Sequence, residues 1–393
     1  MGERERGFAT RAIHGAVAPP IDQEVPSVPI YQTATYRFDS SEEYAETIAF
    51  RRPGYTYTRG YGNPTVEAFE AQVAALEGTE AAFGFASGMA AIHTVLTSLV
   101  GSGDRIVAGS QLYGGTYSLL TQMLPRFGVV ADLVDPRDVE AVAAALPGAK
   151  LLYLETIANP AMAVADLAAL GAVAIAAGVP AAVDNTFASP YLCTPAAFGF
   201  AYVIHSATKY LGGHHDLTGG VVCCSTQDRA RLRSTAIDTG GTMAPFDAWL
   251  ATRGTMTLPL RMERHCASAS ALARFLESHP KVARVHYPGL ASHPDHEAAR
   301  RILRGTGGML AVEIEGDVET GRRVCDALEL AWVATSLGGT HTLVGHAAST
   351  THRQMEPEAR RAAGIADGLI RVSVGLEDVE DLVDDFGRAL ERA

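Results

Sequence analysis

The sequence predicts an α/β protein, with a mostly parallel sheet in a large domain and a smaller C-terminal α/β domain. Three observations point there. Short apolar runs alternate with helical stretches from residue 81 to residue 224, and strands separated by helices join as parallel neighbours. At 393 residues, 47% of them hydrophobic, the chain is long enough to bury two cores. Asn159, Asp184 and Lys209 each follow one of the apolar runs, where ligands bind in sheets of this kind.

Residues 1–60 carry Pro19, Pro20, Pro26, Pro29 and Pro53 with little helical periodicity, so an extended arm contacting a neighbouring subunit is expected. From Pro64 the pattern changes. Thr65 is placed to cap a helix through Val66, Phe69, Val73, Ala74 and Leu76, and Gly78 stops it. The runs 81–85, 105–108, 129–134, 151–154, 181–183, 202–205 and 220–224 read as strands. Residues 139–146 form an Ala-rich helix. The most apolar window, residues 167–183, is broken by Gly178 and Pro180, which makes it a helix and a buried strand rather than a membrane span. Beyond Gly254 a long helix runs through Leu258, Leu260, Met262 and His265 to Leu276. A boundary at 256 gives a large domain over 61–256 and a C-terminal domain over 257–393.

A formal net charge of −12, from 32 basic and 44 acidic residues, argues against nucleic acid or a membrane surface as partner. Cys193, Cys223, Cys224, Cys266 and Cys325 are odd in number and without CxxC spacing, which suits a reducing, cytoplasmic setting. The charged start, Met1 to Gly7, lacks the apolar stretch of a secretory signal.

The densest chemistry lies in His205-Ser206-Ala207-Thr208-Lys209-Tyr210-Leu211-Gly212-Gly213, downstream of Val183-Asp184-Asn185-Thr186. A lysine between small hydroxyl residues and a Gly-Gly turn, with an aspartate closing a buried strand, is the pairing that a pyridoxal 5'-phosphate (PLP) enzyme needs. The amine joins the cofactor, and the carboxylate keeps its pyridine nitrogen protonated. A lysine amine with its ordinary pKa of about 10 must lose its proton to act, which burial promotes. Ala86-Ser87-Gly88-Met89-Ala90, at a strand-to-helix turn, either offers helix N-terminal amides to a phosphate or is an ordinary Ser-capped helix. Ser206 and Thr208 add hydroxyl donors. Tyr113, before Gly114 and Gly115, either stacks on a cofactor ring or fills the core. Arg371, in Ile370-Arg371-Val372-Ser373, either grips a substrate carboxylate or makes a surface ion pair with Glu377 or Asp378. His214, His215 and Asp216 lack further ligands at metal-binding spacing, so no metal is expected. His341, His346 and His352 are expected in the core or a pocket wall. Gly84-Phe85-Ala86-Ser87-Gly88 lacks the GxGxxG form of a dinucleotide site.

In this order the segments, from Pro29-Ile30-Tyr31-Gln32-Thr33 to Val374-Gly375-Leu376-Glu377-Asp378, resemble the Cys/Met-metabolism family of PLP enzymes. That family includes methionine γ-lyase, cystathionine γ-synthase, cystathionine γ-lyase and O-acylhomoserine sulfhydrylase. The resemblance implies the aminotransferase-like fold (fold type I), with Lys209 as the Schiff-base lysine, Asp184 on the pyridine nitrogen, and Tyr113 stacked on the ring and assisting proton transfer. It implies that Gly88, Met89, Ser206 and Thr208 hold the phosphate and that Asn159 contacts the ring oxygen. Arg371 and Ser336, of Ser336-Leu337-Gly338-Gly339, would position the substrate carboxylate. Tyr57-Thr58-Arg59 is similar to the family's Tyr-x-Arg, which reaches a neighbouring subunit's phosphate. A homotetramer of two tight dimers with shared active sites is therefore implied, although Arg59 to Pro64 is one residue longer than the usual spacing. Cystathionine enzymes commonly carry a glutamate where Thr335 stands, so the resemblance implies a substrate with an uncharged distal group. Methionine γ-lyases often carry cysteine where Gly115 stands, and Gly-Gly-Thr-Tyr also occurs in sulfhydrylases. The expected reaction is γ-elimination on L-methionine, giving methanethiol, 2-oxobutanoate and ammonia. The alternative is γ-replacement on an O-acylhomoserine.

Overall fold

A computed structural model describes residues 6–15, 25–158, 162–350, 353, 356, 358 and 365–393. The chain divides into two compact units. The first comprises Met1–Glu155, Leu167–Gly212 and Asp216–Pro259; the second comprises Thr156–Asp166, Gly213–His215 and Leu260–Ala393.

The first unit is built on β1 (Ala81–Phe85), β2 (Arg105–Gly109), β3 (Val130–Val134), β4 (Leu151–Glu155), β5 (Ala181–Asp184), β6 (Tyr202–Ser206) and β7 (Gly220–Cys224). They form one seven-stranded sheet in the order β1-β7-β6-β5-β4-β2-β3. Strands β2 to β6 are parallel, and β7 runs antiparallel to both β6 and β1. The chain is therefore an α/β protein with a mostly parallel central sheet. All residues of β4 and β7 are buried, which is why these strands read as unbroken apolar runs rather than alternating ones. Ile92, Val95 and Leu96 of the helix Gly88–Leu99 pack with Phe85, Ile106, Tyr153 and Tyr202 into one core.

The helix Pro64–Glu77 ends as expected on Gly78, left-handed at φ 74°, but its cap is Asn63 and not Thr65. Asn63 Oδ1 accepts from the amides of Thr65 and Val66, and Pro64 occupies the first turn, where its missing N–H has no partner to lose. The Thr65 hydroxyl instead ties down the arm, donating to the Pro29 carbonyl and accepting from the Tyr31 amide. Nor is the arm wholly extended. It contains the helices Phe8–His14 and Ser41–Ile48, the second capped by Ser40, whose hydroxyl accepts from the Glu43 amide at 3.0 Å.

The second unit carries β8 (Val282–His286), β9 (Met309–Ile314), β10 (Trp332–Val333), β11 (Leu343–His346) and β12 (Leu369–Ser373), ordered β10-β11-β12-β9-β8. This sheet is antiparallel except for the β10–β11 pair. Leu272 and Leu276 of the helix Leu258–Glu277, with Leu382, Phe386 and Leu390 of the helix Val379–Arg392, fill its core. Among the described residues no helix is long and apolar enough to cross a membrane, and all five cysteines are free thiols.

Candidate active site

Because β4, β5 and β6 are parallel neighbours, their carboxyl ends lie side by side. They deliver Glu155, Asp184 and Ser206, with Glu155 in register with Asp184. Thr186 joins two of these ends: its amide donates to Asp184 Oδ1 at 2.9 Å, and its hydroxyl accepts from the Ser206 amide at 2.8 Å. Burial pushes the Asp184 carboxyl pKa up, while the Thr186 hydrogen bonds and the charges of His205 and Lys209 act against that rise. Downstream of Ser206 the chain turns, the Lys209 amide donating to the Ser206 carbonyl at 3.2 Å. Thr208 Oγ1 accepts from the Gly219 amide at 3.0 Å. Lys209 emerges half-buried from this turn.

The helix Gly88–Leu99 begins beside Ser206. A Cβ on Gly88 would lie 2.8 Å from Ser206 Cβ and 3.0 Å from its hydroxyl oxygen, so only glycine permits this approach. Ser87 does cap the helix, accepting from the Ala90 amide at 3.1 Å, and the cap places the first free helical amides at Gly88 and Met89. Tyr113 is half exposed and so is not a core residue. Its amide donates to Glu155 Oε1 at 2.6 Å. Its ring lies over Gly115, where a Cβ would be 2.6 Å from the ring and 3.0 Å from Met89 Sδ.

The first unit thus brings together Gly88, Met89, Tyr113, Asp184, Ser206, Thr208 and Lys209. Tyr57 and Arg59 are exposed. Arg59 lies 5.7 Å from the Tyr57 ring centroid and donates to the Ile237 carbonyl of the helix Thr226–Thr239. Tyr57 bridges to Thr35, and its carbonyl accepts from the Tyr61 amide at 3.0 Å. Asn159 and His352 lie outside the described residues. In the second unit, Arg371 on β12 donates to the Ser336 carbonyl at 2.8 Å. Ser336 is left-handed at φ 81°, strained for a residue with a side chain, and Thr335 beside it is exposed. Of the carboxylates considered as partners for Arg371, Glu377 accepts from Thr342 and Asp378 pairs with Arg264. His346 is buried and bonds Ser349 and the Asp367 carbonyl, as a core histidine would. Among the described residues no three His, Cys, Asp or Glu side chains gather as metal ligands.

Two residues of the site were missed in the sequence. Glu155 fixes the Tyr113 loop, and Thr186 links Asp184 to Ser206; both act across strands, so only their places after apolar runs hint at them. The cluster offers an amine, a half-buried carboxylate, two hydroxyls and a helix N-terminus kept open by Gly88. That donor set fits a pyridine aldehyde bearing a phosphate.

The model of the family described as Cys/Met metabolism PLP-dependent enzyme matches residues 9–391. The chain is 45% identical to the L-methionine γ-lyase of Porphyromonas gingivalis over 391 residues, covering 98% of this chain and 97% of that one. It is also 45% identical to the L-methionine γ-lyase of Pseudomonas putida over 388 residues, with the same coverage of 98% and 97%. Among solved structures, cystathionine γ-lyase from Lactobacillus plantarum complexed with L-serine superimposes with a TM-score of 0.91 at 38% identity, covering 98% of this chain and 99% of that one. The chain therefore belongs to the Cys/Met metabolism PLP-dependent enzyme family.

Proposed function

We propose that the protein is a methionine γ-lyase, converting L-methionine and water to methanethiol, 2-oxobutanoate and ammonia. The observation that carries this reading is the match to enzymes of that name along almost the whole chain, at 45% identity. The exposed, uncharged Thr335 beside Ser336 supports a substrate whose distal end is uncharged.

When bound, PLP supplies the electron sink for the charge that forms beside the substrate amino group. The protein supplies position and protons. Gly88 and Met89 amides with the Ser206 and Thr208 hydroxyls hold the phosphate. Asp184 would keep the ring nitrogen protonated, and the family resemblance assigns the ring oxygen to Asn159, which lies outside the described residues. Lys209 would hold the cofactor through its Nζ and would serve as the base that takes the Cα proton and moves a proton at Cβ. Tyr113 covers the ring and delivers a proton to the departing sulfur. Arg371, oriented by the Ser336 carbonyl, grips the substrate carboxylate with its planar fork.

Tyr57 and Arg59 are exposed, which suits a reach to the phosphate of a neighbouring subunit. On this reading residues 1–60 form an arm on the neighbour, and the assembly is a homotetramer made of two dimers with shared sites. The free thiols suit the cytoplasm.

A second reading, γ-replacement on an O-acylhomoserine, is favoured by Gly115, whose missing side chain gives the Tyr113 ring its seat. Incubation of the PLP-loaded protein with L-methionine alone, and with O-acetylhomoserine plus sulfide, separates the two. Release of 2-oxobutanoate and methanethiol from methionine alone is the expected result. Silence on methionine with homocysteine formed from the ester would replace the first reading with the second.

A further inference from the structure

The helix Pro64–Glu77 ends on a carboxylate, although a negative charge in the last turn opposes the helix dipole. Glu77 is 2% exposed and its neighbour His205 is 1% exposed. Glu77 Oε1 lies 2.6 Å from His205 Nε2 and accepts from Asn185 Nδ2 at 3.0 Å. The other oxygen, Oε2, is buried with no hydrogen-bond partner. Removing such a pair from water costs stability unless every lone pair is satisfied, and here one oxygen is not. The arrangement is therefore a poor device for stability alone.

Its placement suggests a purpose. Asn185 directly follows Asp184 at the end of β5, and His205 directly precedes Ser206 at the end of β6. Successive side chains of a strand point to opposite faces, so Glu77 grips the back of both strand ends while Asp184 and Ser206 face the other way. The Asn185 amide also donates to the Ile204 carbonyl at 2.8 Å, and its side chain donates to the Cys193 carbonyl at 2.9 Å, so the β5 end is held at several points.

We infer that Glu77 is a positioning residue for the cofactor, setting Asp184 through Asn185 and Ser206 through His205. The inference rests on the reading in which Asp184 faces the ring nitrogen and Ser206 the phosphate. It also gives His205 a part in the charge balance at Asp184, where burial is the largest influence and the Thr186 bonds and the His205 charge oppose it.

The test is Glu77→Gln, which keeps the size and removes the charge. Two quantities are read: the dissociation constant for PLP, and the 15N resonance of the ring nitrogen with labelled PLP bound. The expected result is a dissociation constant raised at least roughly tenfold, the effect that outer partners of bound metal ligands carry. The nitrogen resonance should also move toward the unprotonated position. If the apoprotein merely melts earlier while both readouts match the wild type, Glu77 is only structural and the inference falls. If Glu77→Gln does not fold, Glu77→Gln with His205→Gln leaves no uncompensated charge. A displaced resonance in that protein supports the inference, and a wild-type resonance overturns it. Asp184→Asn separates this failure from that of the site itself, because it must move the nitrogen resonance if Asp184 faces the ring, whatever Glu77 does.

Discussion

Replacing Gly88 by alanine tests the phosphate seat with a single methyl group. The new Cβ would lie 2.8 Å from Ser206 Cβ, 3.0 Å from its hydroxyl oxygen and 3.2 Å from its Cα. Carbon atoms in ordinary contact stand about 3.5–4.0 Å apart, so Ser206 or the helix start must give way by about 0.7–1.2 Å. Ser206 cannot move freely, because its amide is held by Thr186, which also holds Asp184. Overpacking of this kind costs about 1–3 kcal/mol. If binding restores the strained arrangement, then at about 1.4 kcal/mol per tenfold the PLP dissociation constant rises about 5- to 150-fold. The assay is titration of apoprotein with PLP, followed by the visible absorbance of the bound cofactor. Gly101→Ala serves as the control: the site is exposed, and its nearest atom is Asp104 Oδ2 at 3.9 Å. That variant should bind PLP as the wild type does. Wild-type affinity in Gly88→Ala would refute the placement of the phosphate at this helix start.

Other perturbations follow from the same structure. Arg371→Ala should lower kcat/KM for methionine by about 10- to 150-fold, the value of a hydrogen bond to a charged group, with the cofactor spectrum unchanged; steady-state kinetics and absorbance read both. Asn63→Ala removes the acceptor for the Thr65 and Val66 amides and the donor to the Tyr31 carbonyl, so denaturant unfolding should show a loss of about 1–2 kcal/mol. The His286 ring 2.6 Å from Glu313 holds that carboxyl below its ordinary pKa, against the effect of burial. A lowered carboxyl pKa stabilises the folded protein above the ordinary value of about 4.3, and the benefit is lost as the pH falls through the lowered value. Melting curves should therefore place Glu313→Gln below the wild type near neutral pH, by no more than about 1 kcal/mol because the pair is partly exposed. The gap should close in acid.

The strands of the first sheet were legible because most are short apolar runs closed by glycine, proline or a polar residue, and those buried along their whole length, β4 and β7, leave no alternation to misread. Asp184 stood out because a polar residue directly after such a run sits where a parallel sheet binds ligands, and Lys209 because small hydroxyl residues precede it and Gly212 and Gly213 follow. The cap of the helix Pro64–Glu77 was misplaced by two residues, since Asn63 and Thr65 are both good caps and only the tertiary bonds of Thr65 to Pro29 and Tyr31 decide between them. The helices in the first sixty residues escaped notice because prolines dominate that stretch, although Ser40 and Glu43 carry a capping signal. The Glu77–His205–Asn185 cluster could not be read at all. Its members lie 108 and 128 residues from Glu77, and nothing local marks a glutamate at a helix end as a partner for two strand ends.

The most direct test of the central claim compares wild-type protein with Lys209→Ala, both supplied with PLP and L-methionine. The account predicts that the wild type shows the visible band of a lysine-linked cofactor and releases 2-oxobutanoate and methanethiol, while Lys209→Ala loses both the band and the products. A Lys209→Ala protein that keeps the wild-type band and turns methionine over at the wild-type rate would contradict it.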